Sequence, residues 1–353
     1  PTIQWISNNQ RYNYMKVNKE MRIFLLISYG VPILLSIFMW IAHQNNLNCN
    51  AFPITWMFLP AAAVMVAKKC NETPDHIFPK TFYWTYIVTT FLMVVFSIAS
   101  AVIDSSVWAI IINVLAIFCG VVCIIEMIAM GKEKRSMAGL SFGNDLKKAG
   151  FGILLFVILY AVIFALNTIM SACIRGMGWS EYVHSQINYF NPLGVILLII
   201  NLPLSYLAFF GEEYGWRYFF QPALQKKYGL RKGVILLGVL WGLWHIPLNF
   251  LYYSPKTGVF SFMIQVTLCV GIGVFMGWLY MKTGNIWSVV IVHYLQNNIG
   301  AIFFGASPVN VVLDFKDVLI ALIVYMLVYL PFLNTKEYKL KSMSDSSEKL
   351  RLH

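Results

Sequence analysis

Gly211-Glu212-Glu213-Tyr214-Gly215-Trp216-Arg217 places two adjacent carboxylates and an arginine directly after the apolar run Pro192–Phe210. The run reads as a membrane span. Ionisable groups inside or at the edge of a span are costly, so as a rule they are paired, turned toward a protein interior or a wet cavity, and tied to function. His245 and His293 stand in the middle of later apolar runs, and the three sites are expected to converge.

Outward from this stretch the chain is apolar almost throughout. Its 353 residues are 59% hydrophobic and 12% charged, with a mean hydropathy of +0.68. A soluble domain carries about 25% charged residues. The expected fold is therefore all-α, a polytopic membrane helix bundle. The 11 Trp and 19 Tyr suit interfacial belts, where rings sit between lipid and headgroups. The net charge of +11 does not point to nucleic acid, because the lysines and arginines occupy short loops between apolar runs rather than one face.

About ten spans are predicted: Ile23–Ala42, Ala51–Ala67, Thr81–Ile103, Val107–Met130, Phe151–Cys173, Pro192–Phe210, Gly233–Tyr253, Val259–Met281, Ile286–Phe304 and Val318–Leu333. The basic residues 1–20 lead into a run of full span length with no small-residue cleavage site after it, so a signal peptide is not expected. Of the 26 Lys and Arg, all but Arg175, Lys256 and Lys316 fall on one side of the alternation, which puts the N and C termini in the cytoplasm. The organisation read from this is a four-span block at 1–130, polar only at residues such as Asp104 and Glu126, then a basic cytoplasmic linker at 131–150. A core at 151–333 carries the chemistry, and a charged cytoplasmic tail occupies 334–353.

If Glu212 to Gln221 continues as α-helix, Glu213 and Arg217 stand at i and i+4, in the favourable order for an ion pair. Glu212 then points about 100° away from Glu213. The arginine can neutralise one carboxylate while the other stays available to a water. A paired charge cluster at a helix start is the equally simple alternative.

His245 lies in Trp241-Gly242-Leu243-Trp244-His245-Ile246-Pro247-Leu248-Asn249. Trp241 is one turn earlier on the same face and is placed to wall a pocket, and Pro247 removes a backbone donor beside the histidine. Asn249, at i+4, is a candidate to fix the imidazole tautomer, or structural glue. His293 and Asn297 are again i and i+4, two neutral donors aimed at one point, as an oxyanion requires. Helix-to-helix hydrogen bonding is the other reading of that pair. Cys119 and Cys123 lie one turn apart with no metal motif beside them and read as packing residues. Gly238-x-x-x-Gly242 and Gly273-x-x-x-Gly277 have the spacing that lets helices approach closely.

Gly211-Glu-Glu-Tyr-Gly-Trp-Arg217, Trp241-Gly-Leu-Trp-His-Ile-Pro247 and the segment from Thr283 to His293-Tyr-Leu-Gln-Asn297 resemble, in that order, the three motifs of the CAAX prenyl protease and bacteriocin-processing family of intramembrane glutamic endopeptidases. The resemblance covers about residues 150–310. Trp241 stands where the family often has Phe, and Tyr218 where a Gly commonly follows the arginine. The resemblance implies that Glu212, helped by His245, deprotonates a water that attacks a peptide carbonyl, with His293 and Asn297 stabilising the oxyanion and Glu213 and Arg217 holding the carboxylate site in register. No cofactor is expected. The alternative is a zinc ion on Glu212, His245 and His293, with water in the open position.

The implied partners are a membrane-associated peptide or protein substrate and the lipid bilayer. A partner protein at spans 1–4 is left open. The expected location is the cell membrane, as a multi-pass protein, the bacterial plasma membrane in particular. A different class of reading is a non-enzymatic immunity or binding protein, or a transporter with its site at the helix broken near Pro247.

Overall fold

A computed structural model describes residues 19–71, 79–103, 107–143, 145–176, 178, 190–305 and 309–339. The N-terminal segment up to residue 18, Asp104 and the tail from residue 340 lie outside the described residues. Among those described, the chain forms helices and no strands. Nine are long and apolar enough to cross a membrane: α1 Lys19–Gln44, α2 Ala51–Lys69, α3 Lys80–Ser100, α4 Val107–Ala129, α6 Leu146–Arg175, α7 Gly194–Tyr228, α10 Gly258–Thr283, α11 Ile286–Phe304 and α12 Phe315–Asn334. A tenth span is the pair α8 Leu230–Trp244 and α9 Ile246–Tyr253, bent by 43°. The short helices α5 Lys132–Met137 and α13 Lys336–Lys339 complete the set. The multi-pass helical architecture expected from the apolar runs is the one observed.

Local chemistry explains where these helices begin and stop. Asp145 caps α6 by accepting from the Lys148 N–H, and Gly176 closes it in the left-handed region at φ 66°. Asn285 caps α11 through the Trp287 N–H. Asp314 and Asp317 form a reciprocal capping box at α12. The sequence predicts a kink at Pro32, and α1 accommodates that proline with a π turn over Leu26–Gly30 immediately before it.

The helices form two compact units. The first comprises the chain up to Leu140 together with Leu207–Gly215 of α7. Its centre is α2, whose Thr55, Trp56, Phe58 and Val64 are buried, and Thr55 and Ser97 share a hydroxyl hydrogen bond of 2.8 Å between α2 and α3. The second comprises Ser141–Tyr206 and everything from Trp216. There α10 is central, packed on α8 and α12.

Glycines set that packing. A Cβ on Gly238 would lie 2.6 Å from Val270 Cα, and one on Gly242 2.7 Å from Val266 Cα. The backbones of α8 and α10 touch, as the small-residue spacing suggested. Arg175 at the end of α6 bonds Asp314 at 3.0 Å and Asp317 at 2.5 Å. The arginine hydrogen bond holds the Asp314 carboxyl below the usual carboxylate range.

Gly238→Ala is expected to destabilise by about 1–3 kcal/mol, because α8 and α10 must part. Gly150→Ala, helical with nothing near its Cβ position, is expected to be neutral or to stabilise by up to about 1 kcal/mol. Melting temperatures of the purified variants in one detergent check the contrast.

Candidate active site

The site residues come from three spans. Helix α7 carries the first group through an apolar stretch interrupted by Pro203. The i, i+4 spacing of Glu213 and Arg217 holds if Glu212–Gln221 is continuous α-helix. The structure instead holds α-helix to Glu213 and widens Tyr214–Phe220 into a π-helical turn. All seven residues from Gly211 to Arg217 are buried. This stretch therefore has no solvated face, as an edge-of-bundle helix would have. Glu212 is 2% exposed, and Glu213 and Arg217 are fully buried. The two glutamates belong to the first unit and Arg217 to the second.

In the second unit the aromatic rings organise the site. The Arg217 guanidinium carbon lies 4.7 Å from the centre of the Trp241 ring, a cation–π contact that a desolvated guanidinium makes well because it is weakly hydrated. The same Trp241 ring meets His293 edge-on, centroids 5.4 Å apart, and lies 6.0 Å from His245. Trp244 packs edge-on against His245 at 4.9 Å and against Trp216 at 5.5 Å. The structure thus brings Arg217, Trp241, His245 and His293 into one cluster. Trp241 is the wall that the helical spacing suggested. Trp216 and Trp244 join this cluster as well, and their sequence signal is a tryptophan immediately before Arg217 and immediately before His245.

His245 sits at the break between α8 and α9, with φ −85° and ψ 0°. The cause is Pro247, which has no N–H for the Leu243 carbonyl and crowds it. The break leaves the Trp241 carbonyl 2.8 Å from His245 Nδ1. A carbonyl oxygen only accepts, so Nδ1 carries the proton, and in the neutral ring Nε2 keeps its lone pair. Asn249 does not do this work, contrary to one of the two roles considered for it. Its amide donates to the His245 carbonyl at 2.8 Å and accepts from Ser261 at 2.6 Å. It secures the backbone at the break and leaves the ring alone, because the i+4 side chain points back to the carbonyl rather than to the ring.

On α11, His293 is buried and Asn297, one turn on, is exposed. Asn298 is used structurally, donating to the Tyr294 carbonyl at 2.8 Å. The helix is anchored at its start by Asn285, which donates to the Phe142 carbonyl at 2.5 Å, and along its length by the Tyr294 hydroxyl, which donates to the Leu198 carbonyl at 2.8 Å.

Among the described residues of either unit, no three His, Cys, Asp or Glu side chains converge closely enough to hold one metal ion. The second unit contributes two imidazoles. A catalytic zinc takes three protein ligands, so a zinc site would need a carboxylate from outside that pair. The Nδ1–H to carbonyl bond of His245 is also the arrangement that orients metal-bound histidines. Cys119 and Cys123, 3.9 Å apart at sulfur, are buried packing residues.

Trp241→Leu is expected to remove the cation–π contact from a desolvated arginine and to cost about 2 kcal/mol or more. Trp241→Phe keeps a ring face and should cost less than half as much. Unfolding of the two variants followed by tryptophan-independent circular dichroism checks the order.

Comparison with known proteins places this geometry. Residues 191–299 match the model of the type II CAAX prenyl endopeptidase Rce1-like family, a segment that holds Glu212, Arg217, His245, His293 and Asn297. A relative, CAAX prenyl protease 2 of Methanococcus maripaludis, is 35% identical over 100 residues, which is 27% of this chain. The chain spans 37% of that relative's length. Residues 191–299 are thus similar to the Rce1-like CAAX proteases, and Arg217 and His293 within that segment both meet the Trp241 ring.

Proposed function

We propose that this protein is an intramembrane endopeptidase that hydrolyses a peptide bond of a membrane-associated peptide or protein. The observation that carries the reading is the state of His245: a buried imidazole whose Nδ1 proton is committed to the Trp241 carbonyl, inside the segment that matches the CAAX endopeptidases. That leaves Nε2 as a hydrogen-bond acceptor for a water. A base must present such an acceptor within hydrogen-bond reach of the proton it helps to move.

Glu212 takes a proton from the water as its oxygen bonds to the scissile carbonyl carbon, while His245 Nε2 accepts the second O–H and orients it. His293 and Asn297 donate to the oxygen that becomes negative. Glu212 then returns the proton to the leaving nitrogen as the C–N bond breaks, giving a carboxylic acid and an amine, between which the second water proton then passes to leave a carboxylate and an ammonium. Glu213 and Arg217 hold the carboxylate site in register, with Trp241 covering the guanidinium. The substrate class favoured by the resemblance is a prenylated C-terminal peptide, by analogy with the relative named CAAX prenyl protease 2. The reaction as written needs no metal. The Lys and Arg asymmetry supports cytoplasmic termini, and the bacterial plasma membrane is the location proposed.

A farnesylated CAAX peptide, incubated with the chain in proteoliposomes, tests this. Glu212→Gln is nearly isosteric and should lower kcat by roughly 10²–10⁴-fold with yield and melting temperature near those of the parent. Arg217→Ala should lower both stability and turnover, since it opens a fully buried site. Glu213→Gln behaving as the stable, inactive variant while Glu212→Gln still cleaves would exchange the two roles. Cleavage and cellular phenotype both surviving Glu212→Gln and His245→Ala would favour a binding or immunity protein. Elemental analysis of active protein decides the cofactor: zinc at one per chain would replace the metal-free scheme with Glu212, His245 and His293 as ligands.

A further inference from the structure

The two glutamates are held by a part of the chain that lies outside the matched family segment. Glu212 and Glu213 are flanked on both sides by residues seated on α2 and α3. Before them, the Phe210 ring meets Phe82 and Tyr86 edge-on at 5.9 and 6.0 Å, and Tyr86 stacks on Phe58 at 5.1 Å. Gly211 lies so close to α2 and α3 that a Cβ there would come within 2.2 Å of the Met57 carbonyl oxygen and 2.4 Å of the Tyr86 hydroxyl. After them, Gly215 rests on Pro60, where a Cβ would come within 2.3 Å of the proline ring.

Tyr214 completes the arrangement. Its hydroxyl donates to the Ala138 carbonyl at 2.6 Å, so the Tyr83 hydroxyl, 2.8 Å away, is the donor to the Tyr214 oxygen. This chain of two hydrogen bonds runs from α3 through the residue next to Glu213 to the interspan linker. All three residues are buried, where such bonds are strongest and most directional. Ala138 is itself fixed: the linker turns back at Gly139 with φ 72°, and Arg135 donates to the Met127 carbonyl at 2.9 Å.

We propose that α2, α3 and the 131–140 linker act as a cradle for the catalytic carboxylates, with Tyr83 and Tyr214 as positioning residues that set where Glu212 and Glu213 point. This rests on the endopeptidase reading above. The carboxylates themselves are suspended between two anchored points, Phe210–Gly211 and Tyr214–Gly215. A loose seat would therefore be felt as misplacement of the base rather than as loss of substrate affinity.

The test uses the full chain in proteoliposomes with the farnesylated CAAX peptide, and compares Tyr214→Phe, Tyr83→Phe, their combination, Glu212→Gln and Ser97→Ala. Tyr214→Phe is expected to lower kcat about tenfold with KM within about twofold, the size of effect that a sub-ångström misplacement produces. Amide exchange over 207–215 should accelerate. Tyr83→Phe should act in the same direction, and the double variant should be no worse than Tyr214→Phe, since both hydroxyls act through one oxygen. Ser97→Ala removes a buried hydroxyl bond between α2 and α3 that does not reach α7 and should lower the melting temperature while leaving kcat unchanged.

Tyr214→Phe with parental kcat beside an inactive Glu212→Gln overturns the cradle and leaves the peptidase reading standing. Glu212→Gln cleaving like the parent overturns both. If the parent does not cleave this peptide, exchange over 207–215 decides: unchanged in Tyr214→Phe, it overturns the cradle; accelerated while Ser97→Ala is not, it supports it.

Discussion

A charge placed among apolar helices has to be met by the protein itself, because neither lipid nor bulk water is there to do so. That constraint governs the segment Gly211–Arg217, whose seven residues are all buried. The desolvation cost of such groups is several kcal/mol each, and the fold around them reads as the response to it. Arg217 is covered by the face of Trp241. The Trp241 carbonyl fixes which nitrogen of His245 carries the proton in the neutral ring. Gly211 and Gly215 give up side chains so that neighbouring backbone can close in.

Close approach is the second theme, and it follows from the first. A site of buried polar groups works only if its walls are rigid, since each loose contact reintroduces conformers in which a group is unsatisfied. Gly238 and Gly242 bring α8 against α10 at backbone contact, which places the break at His245 in a defined position. Pro247 makes the break and Asn249 stabilises it. The bend therefore has an identifiable cause, and its product is a carbonyl, that of Trp241, presented to an imidazole.

The N-terminal spans gain a role from this picture. In the first unit α2 and α3 meet Leu207–Gly215 with aromatic rings and a tyrosine hydrogen-bond chain. A chain that carried only the matched segment would have to hold its carboxylates by other means. The spans α2 and α3 thus form the wall on which the carboxylate segment rests.

The fold class and the number and order of the apolar spans were legible in the residues alone, because a bilayer forces spans to be long, apolar and helical, and that pattern survives in one dimension. Nine of the predicted runs became single helices, and the run containing Pro247 became the bent pair, as a proline without an N–H requires. Glu212, Glu213, Arg217, His245, His293 and Asn297 stand out as candidates in the residues alone, since a polar residue in an apolar run differs from its background. What the residues could not show was direction. The π turn at Tyr214–Phe220, the commitment of Nδ1 to a backbone carbonyl, the role of Asn249 and the seating of the glutamates on α2 and α3 depend on contacts between residues 4 to 155 positions apart. Such contacts are chosen by packing energy summed over the whole interior, to which no local pattern of residues corresponds.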